Sequence, residues 1–315
     1  MILSGVYTAL ITPFQKNGNL DEEGLRQNIR FQIESKVAGI VALGTTGETP
    51  TLTETEEKRI IKIAIEEAKN KIQVLIGTGT NSTLKTIEKT KRARDEGADG
   101  VLIVTPYYNK PTQRGLIEHF KAIEREAQFP FLTYNVPGRS SCFIETATLK
   151  EISKLPHCLG VKDATGSISN MSEVIEAINQ HNPKFQVLSG DDALTLPLIS
   201  LGGTGVISVA SNLIPKEVVQ LVEQALWGEM LAAKALHHKL SPLFKALFCE
   251  TNPIPIKQAM EWMEMPAGGV RLPLYEMSDA NKQILKVALE ETTFHIPKPN
   301  GKDELSEIQR SGSRL

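Results

Sequence analysis

Paired cysteines are missing from this chain. It has three, Cys142, Cys158 and Cys249, scattered and without a Cys-x-x-Cys spacing. An odd, dispersed set excludes a disulfide frame and points to a reducing compartment, so the expected location is cytoplasmic. An excess of one charge is missing too: 35 basic side chains face 37 acidic ones, for a formal net charge of -2. That balance removes the electrostatic case for nucleic acid or an anionic membrane surface as partner. Metal-ligand spacings are absent among the six histidines. His237 and His238 are adjacent, and on a helix they would point in different directions. The opening Met1-Ile2-Leu3-Ser4-Gly5 lacks a basic n-region, which argues against a signal peptide. One long stretch, 193–215, carries no charge, but Pro197, the Gly202-Gly203 pair and Gly205 interrupt it. It reads as a short helix, a turn and a buried strand, not as a membrane span.

What the chain does have is a repeat. Apolar, strand-like runs occur at 6–12, 39–44, 73–77, 100–105, 131–135, 159–162, 187–189 and 205–209. Most of them start about 27 to 34 residues apart, the spacing of successive βα units with parallel strands. Runs such as Gly-Val-Leu-Ile-Val at 100–104 are apolar on consecutive positions, as in a sheet covered on both faces. Helical patterns fill the gaps. Residues 21–35 open with acids, Thr53-Glu54-Thr55-Glu56 is a capping-box start, and a helix opening at Ser82 ends near Gly97. Eight such repeats predict an α/β fold of the (β/α)8, or TIM barrel, type. An open doubly wound sheet needs fewer strands and usually a phosphate fingerprint. The nearest candidate, Gly77-Thr78-Gly79-Thr80-Asn81-Ser82, lacks the third glycine. Beyond Pro215 the strands stop and helical patterns follow at 217–227, 230–247, 255–263 and 279–291. The expected organisation is a catalytic barrel over 1–226, a C-terminal helical region over 227–296 and a polar, mobile tail over 297–315.

The most informative residue is Lys162, inside the apolar run Leu159-Gly160-Val161-Lys162. An ammonium in such a strand is unfavourable unless it pairs with a carboxylate or gives up its proton. The bland reading pairs it with Asp163 or Asp191. The functional reading makes it a nucleophile that forms a Schiff base with a carbonyl substrate. Other reactive groups gather at the same strand ends, where barrel active sites lie. A keto acid on Lys162 needs hydrogen-bond donors for its carboxylate, which Thr45, Thr46 and the turn they occupy can supply. Imine chemistry needs proton transfers. Tyr134 on the neighbouring strand can shuttle them, with help from Thr45 and Tyr108. Arg139, just past that strand, can bind a second carboxylate bidentately. Ser189 and Asp191 have no histidine placed to complete a hydrolase triad.

The motifs GTTGE at 44–48, TPYYN at 105–109, YNVPGR at 134–139, GVKDATG at 160–166, LSGDD at 188–192 and GVISV at 205–209 resemble the dihydrodipicolinate synthases, within the N-acetylneuraminate lyase family of class I aldolases. The resemblance covers about 1–293. It implies a Schiff base between Lys162 and pyruvate, whose enamine attacks L-aspartate 4-semialdehyde, with no cofactor. It also implies that Tyr134 is the proton shuttle, Thr45 its relay, and Tyr108 a relay tyrosine inserted from a neighbouring subunit. Arg139 would receive the semialdehyde carboxylate; Thr46 and the backbone of Gly190 and Ile207 would form the pyruvate pocket. A homotetramer built as a dimer of dimers is implied as well. The chain departs from lysine-inhibited relatives at their feedback site. Glu54 and Glu57 stand in place of histidines and Lys85 in place of a glutamate, while Asn81 and Tyr107 are kept. Weak or absent inhibition by L-lysine is therefore expected.

Overall fold

The structure, a computed structural model, describes residues 2–292. The tail expected to be mobile lies outside the described residues. Strand and helix alternate: β1 (Gly5–Ala9), α1 (Glu22–Glu34), β2 (Gly39–Ala42), α2 (Glu54–Ala68), β3 (Gln73–Gly77), α3 (Thr83–Glu96), β4 (Gly100–Val104), α4 (Gln113–Ala127) and β5 (Phe131–Asn135). Two helices follow β5, the one-turn α5 (Pro137–Ser140) and α6 (Thr146–Ile152). Then come β6 (Cys158–Asp163), α7 (Ile168–Asn179), β7 (Gln186–Ser189), α8 (Thr195–Ser200), β8 (Gly205–Ser208) and α9 (Pro215–Leu226). The last helices are α10 (Met230–Ala246), α11 (Ile254–Trp262) and α12 (Asp279–Glu291).

The eight strands pair in sequence order and all in parallel, and β1 pairs with β8 to close the barrel. The (β/α)8 expectation holds, and the uncharged 193–215 stretch is the short helix, turn and strand anticipated. Among the described residues no helix is long and apolar enough to cross a membrane. Helix starts follow the sequence signals. Thr53 and Glu56 form a reciprocal capping box, Asp21 accepts from Gly24 N–H, and Ser82 accepts from Lys85 N–H. Gly97 ends α3 in the left-handed conformation at φ 98°.

Strand residues divide between two surfaces. One set, including Ile40, Val74, Val101, Ile103, Phe131 and Val161, packs outward on the helices. The other fills the barrel: Tyr7, Ala9, Val41, Leu75, Leu102, Leu132, Tyr134, Leu188 and Ile207. This is why the strands read as continuous apolar runs. A further apolar cluster joins Val6 and Val206 of β1 and β8 to α9–α12, so the C-terminal helices brace one side of the barrel. At Gly205, φ is 152° and an added Cβ would stand 2.0 Å from the Gly5 carbonyl oxygen, so the β1–β8 seam accepts only glycine there.

Candidate active site

Lys162 lies near the end of β6 and is buried, 6% exposed. Its register neighbours are Tyr134 on β5 and Leu188 on β7, both of which fill the barrel interior. Side chains paired in register share a face, so the lysine also points inward. Its Nζ stands 4.3 Å from the centroid of the Tyr134 ring. No ion pair to a carboxylate forms among the described residues. Both candidate partners are engaged elsewhere. Asp163 accepts from the N–H and hydroxyl of Thr165 and from Asn170 Nδ2, at 2.9, 2.6 and 3.1 Å. Burial pushes its carboxyl up, against these bonds. Asp191 caps the next turn by accepting from Ala193 N–H, and burial pushes it up as well. These bonds correct the ion-pair reading of Lys162: Asp163 is spoken for at the start of α7, Asp191 after β7.

The floor around the amine is built from small groups. Gly190 follows β7, and an added Cβ there would stand 2.7 Å from Ala164 Cβ and 3.1 Å from Lys162 Cε. Glycine at 190 thus leaves room for the lysine. Its N–H donates to the Asp163 carbonyl at 2.7 Å. Ile207, on β8, belongs to the same interior cluster as Tyr134 and Leu188. The buried Asp192 accepts from the N–H groups of Val209 and Ala210, both at 3.0 Å, fixing how the chain leaves β8 just past Ile207.

Thr45 and Thr46 form a short 3-10 turn, Thr45–Gly47, after β2. Thr46 is buried and its Oγ1 accepts from Asn252 Nδ2 at 2.9 Å, whereas Thr45 is half-buried. Arg139 lies in the one-turn α5, in a segment pinned by two buried networks. Asn135 bonds Ile144 through both its amide atoms, and the Thr105 hydroxyl donates to Ser140 Oγ at 2.9 Å. Nη2 of Arg139 donates to the Asn252 carbonyl at 3.2 Å. Within one chain, then, Lys162, Tyr134, Gly190 and Ile207 come together, and Thr46 and Arg139 are joined through Asn252. Tyr108 is not brought to them. It sits on the loop after β4 with φ 72° and 89% of its surface exposed.

Two residues that bear on the site went unread in the sequence. One is Asn252. The other is Lys257 on α11, which is 2% exposed. Its Nζ contacts Glu48 at 2.7 Å and donates to the carbonyls of Thr12 and Gly269, at 3.0 and 2.7 Å. Burial pulls its ammonium down to about 8, against the pull of Glu48. Glu48, in the left-handed conformation at φ 53°, is the residue that closes the Thr45–Thr46 turn, and its Oε2 accepts from Arg271 N–H. Among the described residues no group of three or more His, Cys, Asp or Glu is placed to hold a metal ion.

The arrangement is a buried lysine beside a tyrosine inside a closed barrel, and comparison with known proteins gives its family. The model of the dihydrodipicolinate synthetase family matches residues 2–292. The chain belongs to that family. Relatives named 4-hydroxy-tetrahydrodipicolinate synthase include one from Protochlamydia amoebophila, 52% identical over 92% of this chain and 97% of its own. Another, from Methanocaldococcus jannaschii, is 48% identical over 92% of this chain and 99% of its own. The crystal structure of dihydrodipicolinate synthase from Thermotoga maritima superposes with a TM-score of 0.90, at 41% identity over 93% of this chain and 99% of that one.

Within this dihydrodipicolinate synthetase family member, the residues that depart from the feedback pattern are committed to ion pairs or carry the wrong sign. Glu57 is buried and bidentate to Lys89, at 2.7 and 2.9 Å, and Glu54 pairs with Lys58 and Arg92. Lys85 is an exposed cation, which repels an incoming ammonium. L-lysine is expected to leave initial rates unchanged at submillimolar concentration. A dose–response curve with a midpoint in that range contradicts this.

Proposed function

We propose that Lys162 is the Schiff-base residue through which the chain condenses pyruvate with L-aspartate 4-semialdehyde to give 4-hydroxy-tetrahydrodipicolinate. The observation that carries the reading is the placement of a buried amine against the Tyr134 ring, with the nearby carboxylates bonded elsewhere, in a member of this family. The amine adds to the pyruvate ketone and water leaves, giving an imine. Loss of a methyl proton gives the enamine, whose carbon attacks the aldehyde carbon of the semialdehyde. The semialdehyde's own amine then displaces Lys162 from the imine carbon and closes the ring. The ketone oxygen leaves as water, the aldehyde oxygen becomes a hydroxyl, and the remaining changes are carbon–carbon and carbon–nitrogen bonds and proton transfers; nothing is oxidised or reduced overall, so the substrates and the lysine suffice without a cofactor.

In this scheme Tyr134 moves the protons and Thr45 relays them, with Tyr108 of a neighbouring subunit completing the relay. The 89% exposure of Tyr108 within one chain supports a role at a subunit contact, and the assembly we infer is a homotetramer, a dimer of dimers. Thr46 and the backbone at Gly190 and Ile207 form the pyruvate pocket. The location we infer is cytoplasmic and the pathway is that of diaminopimelate and lysine. Arg139 receives the carboxylate of the semialdehyde. Its guanidinium uses one Nη2 donor on Asn252, which leaves other donors for a bidentate contact.

Arg139 also separates this reading from a sibling aldolase that takes a polyhydroxylated acceptor. Arg139→Ala is expected to raise the semialdehyde KM by about 10- to 100-fold and to lower turnover, while imine formation with pyruvate stays intact. Steady-state kinetics in both substrates read this directly. An unchanged semialdehyde response points to a different acceptor.

A further inference from the structure

Asn252 lies in the segment between α10 and α11, far in sequence from both groups it holds. Its side-chain Nδ2 donates to Thr46 Oγ1 at 2.9 Å, and its main-chain carbonyl accepts from Arg139 Nη2 at 3.2 Å. The residue is 5% exposed. Its Oδ1 is buried with no hydrogen-bond partner among the described residues. A buried, unpaired acceptor is unfavourable, and such groups persist where something other than stability fixes them. We propose that Asn252 is a positioning residue that sets the two carboxylate-binding positions, Thr46 for the keto acid and Arg139 for the acceptor, at one fixed separation. The proposal rests on the substrate-binding roles inferred for Thr46 and Arg139.

The physical argument is one of order. Thr46 Oγ1 has a single proton to donate. By supplying a hydrogen bond to that oxygen, Asn252 Nδ2 occupies a lone pair and turns the hydroxyl proton away from itself, free for a ligand oxygen. The same residue's carbonyl holds one edge of the Arg139 guanidinium, which otherwise sits on an exposed one-turn helix. Both donors are thereby fixed before substrate arrives, which reduces what binding must immobilise. A residue that sets two subsites should affect both substrates at once.

Asn252→Ala removes the Thr46 contact and keeps the main-chain carbonyl on Arg139, so it is expected to raise the KM for pyruvate by about tenfold and the KM for the semialdehyde by less, through loss of the anchor that holds that carbonyl in place, with the unfolding midpoint little changed. Asn252→Asp keeps the shape and the main-chain carbonyl but, ionised, has no proton for Thr46. Its pyruvate KM should be raised at pH 8 and should approach the parent value as pH falls and the carboxyl regains a proton. In the cycle with Thr46→Val, the double variant should bind pyruvate no worse than the poorer single variant, because both changes remove one interaction. Parent KM values in both Asn252 variants overturn the proposal. So does a fall in kcat alone with a lowered midpoint, or effects that simply multiply in the cycle. If Asn252→Ala does not fold, the isosteric Asn252→Asp carries the pH test alone. Borohydride capture of pyruvate by the parent protein, run alongside, keeps the two readings apart. No capture by the parent sinks the Schiff-base role of Lys162; capture with unmoved Asn252 kinetics sinks only the positioning role of Asn252.

Discussion

Lys162→Ala is expected to remove turnover, by on the order of 10⁴-fold or more, and to abolish covalent capture of pyruvate. In the parent protein, pyruvate plus borohydride should add to the intact mass one pyruvic acid less one oxygen atom, the reduced imine. The amine cannot be replaced by a neighbour, because the interior at its level is Tyr134 on one side and Leu188 on the other. Loss of fold would mimic loss of chemistry, and Lys162→Met separates them. The lysine is 6% exposed and paired with no carboxylate, so a thioether of similar volume removes a buried polar head without opening a cavity. The methionine variant should therefore unfold at the same or a higher temperature while capturing nothing, the pattern of a residue kept for activity at the expense of stability. A barrel that merely bound a keto acid would show no added mass in the parent after denaturation. Undiminished capture in either variant would place the imine on another lysine.

Lysine in an apolar strand was legible because a strand only four to six residues long has no room for a stray charge without a reason. The strand ends were legible too. The strand ends near Gly44, Asn135, Gly190 and Ser208 follow apolar runs that recur along the chain, and barrel geometry puts all such ends on one rim. What stayed hidden were partnerships between distant residues. Glu48 reads as part of a glycine-bracketed turn, and Asn252 as a loop residue before a proline. Periodicity tells which face of an element is covered but not by what. Lys257 carried a signal that could have been used. It lies in the run Ile254-Pro255-Ile256-Lys257-Gln258-Ala259-Met260, where Ile256, Ala259 and Met260 are all buried around it. That is the same anomaly that marked Lys162, a cation among apolar neighbours. The two lysines part company only in structure: each stands 4.3 Å from a ring centroid, Tyr134 for Lys162 and Phe14 for Lys257, but Lys162 has no carboxylate beside it and Lys257 is saturated by Glu48 and two carbonyls. The lesion each would suffer differs accordingly.

Lys257→Met is expected to cost about 3–5 kcal/mol of stability, because it strands the Glu48 carboxylate at 1% side-chain exposure without its ion-pair partner. The carbonyls of Thr12 and Gly269 also lose their donor. The sign of the shift on Lys257 sets what the partner variant should do. Burial outweighs Glu48 and pulls the ammonium down to about 8, so the folded state holds this proton less tightly than the unfolded chain does. Between about pH 8 and the ordinary lysine range the unfolded state binds more protons, and this group alone makes stability rise with pH there. A pair with that balance is stabilising only relative to its own broken halves. Glu48→Gln combined with Lys257→Met should hence be more stable than Lys257→Met alone, despite carrying one more substitution, since no charge is left buried. Activity should not recover with it. Glu48 closes the turn that carries Thr45 and Thr46, and Lys257 ties that turn to Thr12 and to the 269–271 segment. Denaturant midpoints and pyruvate KM, measured on the parent, the single and the double variant, resolve the two effects. A double variant less stable than Lys257→Met would mean that the hydrogen bonds to the carbonyls, not the stranded charge, dominate at this clamp.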